Sequence, residues 1–387
     1  MKKFASIVLL STLFATASAA EPQVGSGETD GYRLVWQDLF DNNELNPLRW
    51  NIEVNGDGGG NAELQYYTDS EKNVRVGDDG EGNGCLILTA CRESYRNKNF
   101  TSGRLNSMNM VTFKHGKIEA SIKLPKTANG LWPAFWMMGN DYSQVGWPKC
   151  GETDILEMGN AEGIKNGTQE RFFNGACHWG AGWPNASYAN SSTKNYSLQD
   201  GEFHLYTCIW DEKEIRMYVD LDKMPLQTPY YKIDISEVDP SNEWVAGNYF
   251  HKDNFIIFDL AVGGNFTGIH NPADITALND ANGQQASMYI NYVKIYQKGV
   301  ASEDLYSAVP SDPLTSESLI APVLAEDSAE FDGKVVSFKT TDDVTVFNLD
   351  GLPVVRAEAV DHIDIDSLPA GVYFVRHGLT VSKIIKK

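Results

Sequence analysis

The chain has 387 residues, with 32 Lys and Arg against 52 Asp and Glu, a formal charge of −20. A hydrophobic share of 42% supplies a sizeable core and excludes a globally disordered chain. The acidic balance argues against nucleic acid as a partner, because the long-range field repels phosphate.

Residues 1–19 read as an export signal. Lys2 and Lys3 open it, Ile7 to Ala17 is apolar, and Ala17-Ser18-Ala19 has the small-x-small spacing of a cleavage site. The apolar run is short for a membrane span, and no other stretch resembles one. The expected location is therefore secreted or at the cell surface. Export permits disulfides, yet Cys85, Cys91, Cys150, Cys177 and Cys208 make an odd count. Cys85 and Cys91 share one strand-like run, CLILTAC, which would hold them roughly 20 Å apart, too far to bridge. These cysteines are expected to be small buried hydrophobes.

From Tyr32 to Gln297 the pattern is short strands broken by Gly, Asn, Asp and Pro, among them YRLVW, CLILTA, GKIEASIKL, HLYTCIW, NFIIFDLAV and YINYVKIYQ. In GKIEASIKL, Ile118, Ala120, Ile122 and Leu124 share one face, the period of a half-buried strand. Residues 30–298 are therefore expected to form one all-β sandwich or barrel. Residues 299–328, rich in Ser, Asp, Glu and Pro, read as a linker. Residues 329–387, with Asp-Gly, Pro-Ala-Gly and His-Gly turns between short strands, read as a second small β module.

The chemistry concentrates in GETDILEMGN, residues 151–160, where Glu152, Asp154 and Glu157 alternate with apolar side chains. On a helix, Glu152 and Glu157 would lie about 140° apart around the axis. On a regular strand, Glu152 and Asp154 share a face and Glu157 points away. One extra residue between Asp154 and Glu157, a β-bulge, returns Glu157 to that face. Two glutamates leaning inward there could bring their carboxyls to about 5 Å, the separation of retaining glycoside hydrolysis. Two acids that close cannot both ionise easily, so one is expected protonated as the donor and the other charged as the nucleophile. Spacing alone leaves an acidic patch or a calcium-ligand set equally open.

The flanks favour a sugar. Trp132, Phe135, Trp136 and Trp147 precede the acids, and His178, Trp179 and Trp183 follow them. Sugar rings stack their C–H faces on aromatic rings and offer hydroxyls to polar side chains.

With these residues in place, the stretch from Tyr32 to Gln297 resembles glycoside hydrolase family sixteen, of the laminarinase or β-1,3(4)-glucanase type. The resemblance rests on LVWQDLFDNNELNPLRWN, GGGNAELQYYTDSEKNVRV, HGKIEASIKLP, GLWPAFWMMG, GETDILE and FIIFDLAVGGNF. It implies a concanavalin-like β-jelly-roll of two curved antiparallel sheets with a cleft across the concave face. It also implies retaining endo-hydrolysis of a β-glucan, with Glu152 as nucleophile, Asp154 as its assistant and Glu157 as acid/base. Asn61, Arg104, Trp132, Trp147 and His178 fall where the family lines its sugar subsites. Glu63, Trp136 and Trp183 are expected behind them or in the core.

The chain departs from the family in places. Asn291 stands where some members have a calcium-binding Asp, and an amide offers an oxygen without charge, so no cofactor is expected to be required and a structural calcium is doubtful. Phe266 replaces a Trp. Residues 329–387 resemble the sorting module of the Bacteroidetes-type (type nine) secretion system, through VTVFNLDGLPVV, LPAGVYFVRHG and SKIIKK. The expected partners are thus a β-glucan and the secretion machinery, with no nucleic acid and no membrane span, and the chain is expected to act as a monomer. A lectin-like glucan binder on the same fold, and a family-sixteen galactan hydrolase or transglycosylase, remain alternatives.

Overall fold

The computed structural model describes residues 31–42, 44–309, 329–347, 353–377 and 380–386. The export signal expected at residues 1–19 lies outside them, as does most of the expected linker.

Two antiparallel sheets form the large unit. The ten-stranded sheet runs, edge to edge, through Tyr231–Asp234, Glu214–Val219, His204–Trp210, Gly116–Lys123, Gln285–Gln297, Gly84–Tyr95, Lys98–Ser102 and Gln65–Tyr67. Arg33–Asp38 and Val74–Asp78 pair onto it, and its last two strands are mutually parallel. The nine-stranded sheet runs through Ala186–Thr193, Phe172–Trp179, Glu152–Met158, Leu131–Gly139, Asn254–Val262, Arg104–Asn106 and Asn51–Ile52. Runs of consecutive strands at one end of each sheet meet strands from distant parts of the chain at its centre, as expected of a jelly-roll sandwich.

The core lies between the two sheets. Leu86, Leu88, Ile118, Ile122, Phe135, Ile155, Leu156, Phe258 and Ile290 belong to one contiguous buried cluster. Ile118, Ala120 and Ile122 face inward as their alternation requires. The other face of that strand is not open to water. Lys117, Glu119 and Ser121 are also buried, with Lys117 Nζ 2.6 Å from Glu119 Oε1 and 3.9 Å from the centre of the Tyr296 ring. A central strand is shielded by long side chains on its neighbours, so its charges pair with each other. All five cysteines are buried and unbridged.

The sandwich continues past residue 298. Asp304–Ser307 pairs with Val111–Lys114 of the nine-stranded sheet, and Leu305 is fully buried in the main core. The Glu303 carboxylate accepts the amides of Lys298, Gly299 and Val300, which folds the chain back for that pairing. A four-residue strand in a Ser- and Glu-rich stretch carries too little periodicity to be read in advance.

Five strands form a separate sheet, in which Val335–Phe347 pairs with Ala329–Phe331, Pro353–Asp364 and Gly371–His377, and Thr380–Lys386 closes the edge. Its own small core contains Val336, Val344, Val346, Ile363, Ile365, Tyr373, Val375 and Ile384. Among the described residues no helix is long and apolar enough to cross a membrane.

Candidate active site

The three acids lie on the Glu152–Met158 strand, near the middle of the nine-stranded sheet. Gly151 and Gly159 bracket it with φ of +75° and +94°. A Cβ on Gly159 would stand 1.9 Å from the Leu131 carbonyl oxygen, so glycine alone fits that close approach.

Within the strand the register shifts. On one side Asp154 pairs with Ala176 and Glu157 with Asn174, three residues against two. On the other side Leu156 pairs with Phe135 and Asp154 with Trp136, leaving Ile155 as the extra residue. This is a single-residue bulge, at the place the acid spacing requires. Ile155 and Leu156 are both fully buried, while Glu152 and Glu157 are half-buried on the face turned from the core.

Cross-strand pairing then assembles a floor. Glu157 pairs with Ala134, Ala134 with Asp259 and Asp259 with Arg104, so one row crosses four strands. Glu152 pairs with His178 in the same way. Directly opposed residues share a face, so these side chains converge although they are up to a hundred or more positions apart.

Around this floor stand the rings. The Trp132 indole donates to Glu157 Oε1 at 3.2 Å and stacks on Phe266, with centroids 4.5 Å apart and planes at 12°. Phe266, the expected smaller ring, thus backs Trp132. Trp147 favours the charged form of Glu152 and lies 6.3 Å from the His178 ring. His178 Nε2 lies 3.5 Å from Asp154 Oδ2 and 4.0 Å from Glu152 Oε1. Trp183 is 82% exposed and stacks on Trp147 at 6.4 Å, so it belongs to an open wall and not to the core.

Arg104 does not touch the acids. It pairs with Glu53 at 3.0 Å and sits 4.9 Å from the centre of the Trp136 ring, and its charge acts on Glu152 through space. Trp136 in turn donates to Asp259 at 2.7 Å. Glu63 is buried and accepts from Gln65 and from Tyr67. Asn61 is partly exposed in the Gly58–Ala62 loop, its carbonyl accepting from Asn265 and its side chain turned to Gly59.

Electrostatics separates the two glutamates. Burial pushes Glu152 up to about 7 and Glu157 up to about 8. Arg104 and the Trp147 indole pull Glu152 back toward its charged form. The negative charge of Glu152 pushes Glu157 further toward its neutral form. Asp154, buried between both, is held well above the usual carboxylate range by burial and then by those two neighbours. Burial lowers His178, which favours a neutral ring able to hydrogen-bond a hydroxyl.

Sequence reasoning missed Asp259 and Tyr67. Asp259 is buried, raised to about 7 by burial, and shares Tyr67 with Glu63. Its signal was a lone acid inside the apolar strand NFIIFDLAV.

Glu152, Asp154 and His178 offer three donor atoms within 4.8 Å of one another, close enough for one divalent cation. Burial gives these carboxyls another way to shed charge, by keeping protons. At the position where a calcium ligand was considered, the Asn291 side-chain amide donates to the Gly84 carbonyl at 2.9 Å.

Known proteins resemble this chain in sequence and in fold. The profile of the glycosyl hydrolases family 16 matches residues 62–239. A beta-glucanase of Rhodothermus marinus is 31% identical over 282 residues, covering 71% of this chain and 89% of that protein. Glucan endo-1,3-beta-glucosidase A1 of Niallia circulans is 32% identical over 292 residues, covering 69% of this chain but only 38% of that longer protein. A Bacteroides ovatus mixed linkage glucan GH16 structure, solved with a G4G4G3G product, is 40% identical at a TM-score of 0.59, covering 68% of this chain and all of that one. The chain belongs to glycosyl hydrolase family 16.

Proposed function

We propose that this chain is a retaining endo-hydrolase of β-1,3-linked and mixed β-1,3/1,4-linked glucans. The observation that carries the reading is the extra residue at Ile155, which sets three carboxyl side chains on one ring-lined face. In the first step an ionised Glu152 oxygen bonds to the anomeric carbon. The glycosidic C–O bond breaks as protonated Glu157 gives its proton to the departing oxygen. In the second step Glu157, now a carboxylate, takes a proton from water. The water oxygen bonds to the anomeric carbon and Glu152 leaves as a carboxylate. Asp154, kept neutral by burial, donates a hydrogen bond that orients Glu152. Trp132, Trp147 and His178 bind sugar rings and hydroxyls beside the acids, with Arg104 and Asn61 further along the floor.

The 40% identical Bacteroides ovatus neighbour supports the mixed-linkage part of this reading. Digesting laminarin, barley β-glucan, cellulose and agarose in parallel tests it, with early products followed by proton NMR. Oligosaccharides from the first two, appearing first as the β-anomer, are expected. No cleavage of either glucan, or an α-anomer first, would overturn it.

We also infer that residues 1–19 direct export and that the 329–387 sheet is the sorting module, cut off or kept as an anchor. The supports are the signal pattern at the start and the motif resemblance at the end. Deleting residues 329–387 should leave the protein inside the cell of origin; unchanged release would remove the sorting role.

A further inference from the structure

An extra residue in a strand leaves a backbone carbonyl without its ladder donor. Ile155 is that residue here and is fully buried, so its carbonyl needs a partner from elsewhere. The hydroxyl of Tyr230 donates to it.

Tyr230 comes from the opposite side of the sandwich. It precedes the Tyr231–Asp234 strand, and its amide bonds to the Met217 carbonyl of the ten-stranded sheet at 3.0 Å. Its own carbonyl accepts the Asn190 side-chain amide, from the edge strand of the nine-stranded sheet. Phe173 packs edge-on against its ring at 4.8 Å. Gly175 leaves the space that ring fills, since a Cβ there would lie 2.8 Å from Tyr230 Cε2. The hydroxyl is thus aimed by both sheets at one carbonyl, between Asp154 and Glu157.

We propose that Tyr230 is a positioning residue: by holding the Ile155 carbonyl it pins the bulge that keeps Glu157 on the face of Glu152. The proposal rests on the glucan hydrolase reading above. Without the donor, the strand can recover ladder hydrogen bonds by moving the extra residue along the chain. A one-residue slip turns the side chains it passes to the other face. Glu157 would then point into the core and away from the sugar.

The test is Tyr230→Phe in the full chain, with Tyr231→Phe as its control. The Tyr231 hydroxyl also donates to a backbone carbonyl, that of Tyr188 at 3.2 Å, but away from the bulge. Two readouts are taken: kcat and KM on barley β-glucan across pH, and the carbon-13 carboxyl titration of Glu157 without substrate. Tyr230→Phe is expected to lower kcat roughly a hundredfold, as for a misplaced reacting group, with KM within about twofold. The Glu157 titration is expected to move up, because a carboxyl turned into the core is desolvated further and loses the Trp132 indole, and burial is already the largest effect that raises it. Tyr231→Phe should move neither.

A Tyr230→Phe profile and Glu157 titration like those of the parent would overturn the proposal. So would equal kcat losses in both variants with the titration unmoved, which mark a merely structural hydroxyl. If Tyr230→Phe does not fold, Gly175→Ala is read in the same way, and an unmoved titration there overturns the proposal. The titration needs no sugar. A moved Glu157 in a chain that cleaves no glucan sinks the hydrolase reading and leaves the clamp; an active chain with an unmoved Glu157 does the reverse.

Discussion

Glu152 and Glu157 are the same residue type in the same buried strand, yet their surroundings divide them. A guanidinium and an indole favour the charged form of Glu152, and a nearby carboxylate favours the neutral form of Glu157. The sign of the pH dependence follows. In the proposed mechanism activity needs ionised Glu152, so kcat/KM should rise as pH passes about 7. It also needs protonated Glu157, so kcat/KM falls as pH passes about 8. Glu157→Gln should cut kcat by roughly 10²–10⁴ and remove the falling limb. A variant that keeps both limbs would move the proton donor elsewhere. Glu152→Ala should abolish turnover, with azide restoring part of it by attacking the vacated face; full activity in that variant would end the nucleophile assignment. At this scale the sequence was informative about the acids because one extra residue in the strand is enough to bring all three to a single face. It was poor about Trp183 and Asp259, since neither exposure nor burial is written in a single residue's neighbours along the chain.

At the scale of elements, alternation placed strands well where one face meets the core, as in Gly116–Lys123. It could not say that the other face of that strand is also shielded, because the shielding side chains come from strands distant in sequence. The strand pair His204–Trp210 and Glu214–Val219 carries a further pH device at its end. His204 Nδ1 lies 2.8 Å from Asp220 Oδ2, both buried, and its Nε2 lies 3.2 Å from Asp200. Despite the opposing effect of burial, its two carboxylate partners raise His204, and hydrogen bonds from His204 and neighbours hold Asp220 below the usual range. The His204 contribution is full below its ordinary 6.5 and is lost as pH rises through the raised value. The Asp220 contribution is full above its ordinary 3.8 and is lost as pH falls through the lowered value. The pair therefore stabilises most between these two ordinary values. His204→Gln should lower stability by about 3–5 kcal/mol in that window, the usual effect of orphaning a buried charge, and by less at high pH. Equal destabilisation at pH 5 and pH 9 in thermal melts would show that the ring serves packing alone.

For the whole molecule, the boundary of the sandwich is the point where reading the chain fell short. Asp304–Ser307 closes onto Val111–Lys114, and the Gln297 side chain donates to the Asp304 carbonyl at 2.8 Å. A chain ending after Val309 should therefore keep the parent's melting transition and glucan cleavage. One ending after Gln297 removes Leu305 from the core and should lose on the order of 2–5 kcal/mol, the cost of one buried leucine. Identical melts of the two truncations would mean that the closing strand contributes nothing. The separate core of residues 329–386 is consistent with a second unit that packs its own apolar side chains.

What the sequence determined by itself was local: strand periodicity, the turn residues between strands, the trio of acids and the aromatic residues flanking it. These follow from one chain's own spacing and chemistry. What only the tertiary structure decided was which distant strands lie side by side. That pairing sets Arg104, Asp259, Ala134 and Glu157 in one row and brings a hydroxyl from residue 230 to the carbonyl of residue 155. Register between strands is fixed by contacts formed across the sandwich, and such contacts leave no periodic trace in the order of residues.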